Sequence, residues 1–256
     1  MLSSWRVRIL GIVGIALLAV VGFGVYYFVF RDDPAPLTLK QIDTLTTPSA
    51  SASAATSAAS APASAPSATA APSLAAGTTA FKIDPAQSEA AYFAAEKLAS
   101  LPTNSTAKGT TKEVSGAFYL KTDGLDTSNA STFTVKLSNL TSDQGMRDRR
   151  VQQTLETSKF PNATFTVTKL TGFPAQLPAS GAGAAFTMTG MLEVHGVKKE
   201  VTWDVTALRN GATFSGLAKV SFKFADFGMA APNIGGFVSV EDGLRLEVQI
   251  VATAAG

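Results

Sequence analysis

From Ala212 to Phe224 the chain alternates along its length. Phe214, Gly216, Ala218, Val220, Phe222 and Phe224 fall on one side, and Thr213, Ser215, Leu217, Lys219, Ser221 and Lys223 on the other. A side-chain period of two describes a strand with one buried face, whereas a helix repeats every 3.6 residues. The same alternation sets Phe133, Val135 and Leu137 against Thr134, Lys136 and Ser138, and Phe165 and Val167 against Thr164, Thr166 and Thr168. It returns in Phe186–Val194, with Met188, Gly190 and Leu192 inward, then in Val201, Trp203 and Val205, and in Leu244–Ile250. With Glu89–Lys97 and Thr111–Leu120 the pattern predicts eight strands. The pairs Asp123-Gly124, His195-Gly196, Asn210-Gly211 and Asp242-Gly243 supply the positive φ that tight hairpins require. Eight antiparallel strands of this kind build a sandwich or an up-and-down barrel, and a barrel of that size can enclose one small ligand.

One stretch breaks the alternation. Between Ser142 and Glu156 there is no Pro and no Gly after Gly145, and Arg147, Val151 and Leu155 recur at helical spacing. Ser142 suits an N-cap and Asp143 the first turn, so one short helix is expected between strands.

The N-terminal third is of another kind. Ile9–Phe30 is a run of 22 residues without a charge, long enough as a helix, at about 33 Å, to cross a bilayer's hydrocarbon. Arg6 and Arg8 precede it, which places the N-terminus inside and the remainder outside. A cleaved signal peptide is the competing reading, but its apolar run is shorter and ends in small residues, whereas this one ends in Tyr26, Tyr27 and Phe28. Thr46–Ala80 is Ala, Ser, Thr and Pro apart from Leu74 and Gly77. With no charge and almost no large apolar group it has nothing to offset ordering entropy, and it is expected to be a disordered spacer. Pro36–Leu45 is moderately apolar and carries no assignment. The expected organisation is an anchor over 1–31, a linker over 32–80 and a barrel domain over 81–256.

Composition excludes several functions. The net charge is only +2, too little for nucleic-acid binding through bulk positive charge. The absence of Cys removes thiol catalysis and thiolate metal sites, and the single His195 leaves little for histidine-based chemistry. No cofactor is expected, since Gly181-Ala182-Gly183 lacks the strand–helix setting of a dinucleotide loop.

Three motifs in order resemble the YceI-like family. They are Thr141–Asp148 followed by Lys159-Phe160-Pro161-Asn162-Ala163-Thr164-Phe165, then Gly190-Met191-Leu192-Glu193-Val194-His195-Gly196-Val197, then Asp226-Phe227-Gly228. The resemblance covers about residues 81–253. It implies a lipocalin-like antiparallel barrel that takes an isoprenoid lipid, a polyprenyl phosphate or a quinone, into its lumen. The family often carries a histidine near the end of its first strand, where Glu96 stands here.

The candidate ligand-binding residues are the inward aromatic and Met set, Phe118, Phe133, Phe165, Phe186, Met188, Trp203, Phe214, Phe222 and Phe224, with Arg147 at the mouth for a charged head group. The small residues Gly116, Gly190, Gly216 and Ala218 share those faces and leave lumen space unless rings fill it. Asp148 is read as a structural partner of the helix, His195 as a turn residue and Asp226 as a turn former. The function expected is that of a membrane-anchored, extracytoplasmic lipid binder of the periplasmic type. Its rivals are an enzyme acting on a hydrophobic substrate and a solidly packed interaction module.

Overall fold

A computed structural model describes residues 33–42, 74–98, 104–122, 124–236 and 238–255. The apolar run over 9–30 and most of the expected spacer lie outside the described residues. Among the described residues no helix is long and apolar enough to cross a membrane.

Eight strands form a closed antiparallel meander. β1 comprises Thr79–Ile83 and Glu89–Leu98, and β2 comprises Asn104–Thr111 and Val114–Lys121. β3 (Thr132–Lys136), β4 (Asn162–Thr171), β5 (Ala184–Val194), β6 (Val197–Asn210), β7 (Thr213–Phe222) and β8 (Val238–Ala254) follow. Each strand pairs with the next, and β8 returns to β1, with Ala254 opposite Phe81 and Leu246 opposite Tyr92. The ladder is interrupted beside Asn104–Lys108, which among the described residues pair with β1 alone, while Gly109 and Thr110 pair with Ser142 and Thr141. Three two-residue ladders, Gly124–Leu125, Thr141–Ser142 and Asn233–Ile234, extend it locally.

Both halves of β1 and β2 are joined by a bend. In β1 it is a 3-10 turn, Pro85–Gln87, capped by Asp84, whose carboxylate accepts from the Ala86 N–H at 2.9 Å. Such breaks let a long strand curl around a small barrel without losing register on both sides. The pair Asp242-Gly243, expected as a hairpin turn, lies instead inside β8. There the pairing with β1 slips between Val240 and Leu244. This bulge belongs to a continuous 17-residue strand, whose reversal is made earlier by Phe224–Phe227 and the residues after it. Two of the other hairpin pairs behave as expected: His195 and Gly196 have φ of 54° and 74° in the β5–β6 turn, and Gly211 has φ of 57° between β6 and β7.

The one α-helix among the described residues, α1, covers Gly145–Thr154 with Gln144 at its N-cap position, shorter than the 142–156 expected. Ser142 stays in the sheet because both its N–H and its hydroxyl donate to Asp148 Oδ1, at 2.8 and 2.6 Å. Asp148 thus ties α1 to the sheet, as its structural reading required. α1, the strand ends Leu98 and Asn104, and the turns β5–β6 and β7–β8 define one end of the barrel; the turns β4–β5 and β6–β7, with Asp126, define the other. At that other end Asp126 is buried and accepts from Asn129, the Ser128 N–H, Lys121 and Thr78. These donors, Asn129 foremost, hold its carboxyl well below the usual carboxylate range.

Residues 33–42 run along the outside of the barrel. Leu37 packs on Ala91, Phe93 and Leu217, and Ile42 is buried too. This segment falls inside the span 32–80 expected as linker, and nothing in its own composition announced where it rests.

Candidate ligand-binding lumen

The inner faces of the strands enclose a cavity of about 140 Å3. Its wall runs from Leu137 and Leu140 at the α1 end to Leu125, Leu170 and Phe173 toward the other. The wall is apolar apart from Ser131, Thr164, the Tyr92 hydroxyl and the Trp203 indole N–H.

Seven of the nine apolar candidates line this space: Phe118, Phe133, Phe165, Phe186, Met188, Trp203 and Phe214. Their rings form a connected series. Phe118 stacks on Phe133 at 5.8 Å and meets Phe214 edge-on at 4.9 Å, while Phe165 meets Trp203 edge-on at 5.7 Å. Such geometries are favoured by the ring quadrupole. Phe222 and Phe224 do not line the cavity. Phe222 packs on the fully buried Phe227, centroids 4.6 Å apart, and Phe224 is buried in the 3-10 turn that follows β7. With Met229 they make an apolar plug at the α1 end. Alternation alone could not separate lining from plug, since both face inward.

The expected space beside the glycines is partly taken by rings. A Cβ on Gly190 would lie 2.8 Å from the Phe165 ring, and one on Gly216 would lie 2.9 Å from the Phe214 ring. The Tyr92 ring covers Gly109 in the same way, where a Cβ would lie 2.3 Å from it. Rings laid over strand glycines pack against backbone that no side chain shields, which narrows the lumen. Tyr92, lining the cavity from β1, was missed because Ala90, Ala91, Phe93 and Ala94 around it blur the alternation.

Arg147 lies outside the lumen wall. Its guanidinium donates to both oxygens of Glu96, Nε at 3.1 Å and Nη2 at 3.0 Å, and also to Asp143. Burial works against its charge, but the Glu96 and Asp143 carboxylates prevail and raise its pKa further. The fork is committed to carboxylates, so it pins α1 to the end of β1. Glu96, noted where relatives often carry histidine, is that partner. His195, in the left-handed conformation, holds the Phe227 carbonyl with Nδ1 at 3.3 Å and lies 3.4 Å from Glu156 through Nε2. Asp226 accepts from the Lys223 N–H at 2.9 Å and pairs with Lys199, whose ammonium holds its carboxyl below the usual range. Neither residue reaches the cavity.

Two of the lining residues carry buried donors with no partner among the described residues, Tyr92 Oη–H and Trp203 Nε1–H. Both side chains are more than nine-tenths buried. Burial pushes the Tyr92 phenol well above its ordinary range, so it remains a protonated donor. An unpaired buried donor costs about 1–3 kcal/mol. Both belong to side chains of the cavity wall, so a small turn of either ring would bring its donor to the lumen.

An eight-stranded meander, an inserted helix after the third strand and an aromatic lumen bring the three sequence motifs into one architecture. The YceI-like domain profile matches residues 81–252, most of the chain. The chain belongs to the YceI-like family. Two solved structures agree at the level of the fold, and a third stands beside them. BcnA of Burkholderia cenocepacia is 22% identical with a TM-score of 0.51, covering 67% of this chain and 99% of its own. A polyisoprenoid binding domain from Saccharophagus degradans, implicated in plant cell wall breakdown, is 15% identical with a TM-score of 0.51, covering 68% of this chain and 98% of its own. The Campylobacter jejuni YceI protein is 20% identical with a TM-score of 0.48, covering 62% and 91%. No curated protein sequence matches the chain. What this YceI-like protein carries outside the matched domain is chiefly its N-terminal third.

Proposed function

We propose that this YceI-like protein is a lipid-binding barrel that holds an isoprenoid tail in its lumen and a neutral, acceptor-bearing head group against the lumen's buried donors. The observation that carries the reading is the apolar, ring-lined cavity, two of whose lining side chains, Tyr92 and Trp203, keep a buried donor without a partner among the described residues. The polyisoprenoid binding of the Saccharophagus domain supports the same ligand class. Between the two head groups expected from the sequence, a quinone suits the site better than a polyprenyl phosphate. Quinone carbonyls accept two hydrogen bonds without bringing in a charge, whereas the one cation considered for a phosphate, Arg147, is held by Glu96 and Asp143.

The tail is held by burial, worth about 2.5 kcal/mol per 100 Å2 before ordering costs. At about 140 Å3 the lumen is narrower than a typical ligand pocket of roughly 300–1,000 Å3. Entry of a long tail therefore requires the half-buried Phe133 and Met188 to turn aside, and an unbranched thioether adapts readily. The reading is that of a binder, in line with the polyisoprenoid binding domain from Saccharophagus degradans. The reading includes the N-terminal anchor over 1–31, with the barrel on the extracytoplasmic side of a bacterial membrane.

Organic extraction of the purified full-length protein followed by mass spectrometry should return a quinone-class isoprenoid. Recovery of polyprenyl phosphate, or of no isoprenoid, would overturn the head-group assignment. Trp203→Phe should weaken binding of a short-chain quinone about ten-fold, the worth of one hydrogen bond, while leaving squalene binding unchanged. Equal losses for both probes would mean that only packing had changed.

A further inference from the structure

We infer that the barrel is clasped directly against the membrane, α1 end first, and that the Ala/Ser/Pro-rich segment is a side loop rather than the tether between them. The inference rests on the anchor reading above and on where residues 33–42 lie.

This strap is bound along its whole length. Near its start, Asp33, Pro34 and Pro36 border a surface groove with Ala95, Thr106 and Leu244, at the α1 end of the wall. The Ala35 carbonyl accepts from Lys108 Nζ at 2.8 Å. Leu37 is buried, and its N–H donates to Glu247 Oε2 at 2.6 Å. Farther on, the Lys40 carbonyl accepts from Ser215 Oγ at 2.7 Å, and the Gln41 amide bonds both the N–H and the carbonyl of Gly181 at 3.0 Å. Gly181 lies in the β4–β5 turn, so the strap runs from the α1 end to the opposite end.

The geometry of the chain then decides what can lie between membrane and barrel. The apolar run ends at Phe30 and the strap begins at Asp33. Three residues span at most about 10 Å. From Ala94, beside the strap's start, β1 continues to Leu98, about 13 Å farther toward the α1 end. The end of the barrel that carries α1 therefore reaches the bilayer surface. The segment 43–73 joins Ile42 to Leu74, both at the far end of the barrel, and so adds no reach to the anchor. Two of the exposed large apolar side chains, Met146 on α1 and Ile234 before β8, sit at the membrane-facing end, where an interface would receive them.

The chain contains no cysteine, so single labels are unambiguous. Full-length protein carrying Met146→Cys, or Ser180→Cys in the β4–β5 turn at the far end, is labelled with a fluorophore and reconstituted into phosphatidylcholine vesicles containing head-group nitroxide lipid. Quenching at position 146 should exceed that at 180 at least two-fold. Inserting about twenty Gly/Ser residues between Asp32 and Asp33, a leash of about 25 Å that leaves the strap intact, should bring quenching at 146 down to the level at 180. Equal quenching at both sites in vesicle-bound protein, or no response to the insertion, would overturn the clasp while the anchor reading stands. Failure of the protein to remain with the vesicles after alkaline washing would overturn both.

Discussion

The two faces of the barrel wall bury their residues by different means. Inside, the rings of Phe81, Phe118, Phe133 and Phe214 bury one another, and the polar groups that intrude, Tyr92 and Trp203, are left without partners. Outside, beneath the strap, burial includes Glu247, fully inaccessible, as well as Ser215 and Gln249. Glu247 is compensated there: Oε2 accepts the Leu37 N–H, and Oε1, which makes no hydrogen bond, lies 3.4 Å from Arg245 and 3.6 Å from Lys219. The inner face is thus held by area and shape and the outer by a few specific bonds. Neither face satisfies every polar atom, since Gln249 Oε1 outside is unpartnered as well, but only the outer one is covered by a fixed segment bonded to it.

The comparison can be broken by substitution. Phe81→Ala removes a fully buried ring stacked at 5.1 Å on Phe118 and should cost about 3–5 kcal/mol in denaturant unfolding. Glu247→Ala leaves the Leu37 N–H unpaired and should cost about 1–3 kcal/mol. Its effect should not add to that of Leu37→Ala, because both act on the same contact; additive losses would show that the strap does not depend on that bond. Arg147→Gln should cost about 1 kcal/mol through a looser α1, in a pair that is only partly buried. It should leave the lipid recovered on extraction unchanged. A lipid-free Arg147→Gln protein would return Arg147 to the ligand site and blur the division between wall and rim.

Much of the barrel was legible because strand alternation is a local property. Phe214, Gly216, Ala218 and Val220 declare an inward face by position alone, and seven of nine ring and Met candidates proved to line the lumen. Phe222 and Phe224 followed the same rule and failed it, since the chain leaves the sheet at Phe222 and folds Phe224 and Phe227 across the barrel end. Asp242-Gly243 looked like a hairpin because a turn and a bulge favour the same residues. Tyr92 was hidden because β1 is apolar on both faces, inward toward the lumen and outward toward the strap.

By itself the sequence determined that the chain must make strands with one greasy face, that eight of them suffice to close, and that rings would dominate the interior. Periodicity carries this, and each strand writes its own. Only the tertiary structure decided which rings stop short of filling the lumen, which cap its end, and that residues 33–42 bind a wall more than 170 positions away at Ser215 and Glu247. Those outcomes depend on partners distant along the chain, and ten residues of mixed polarity have no period from which to read them.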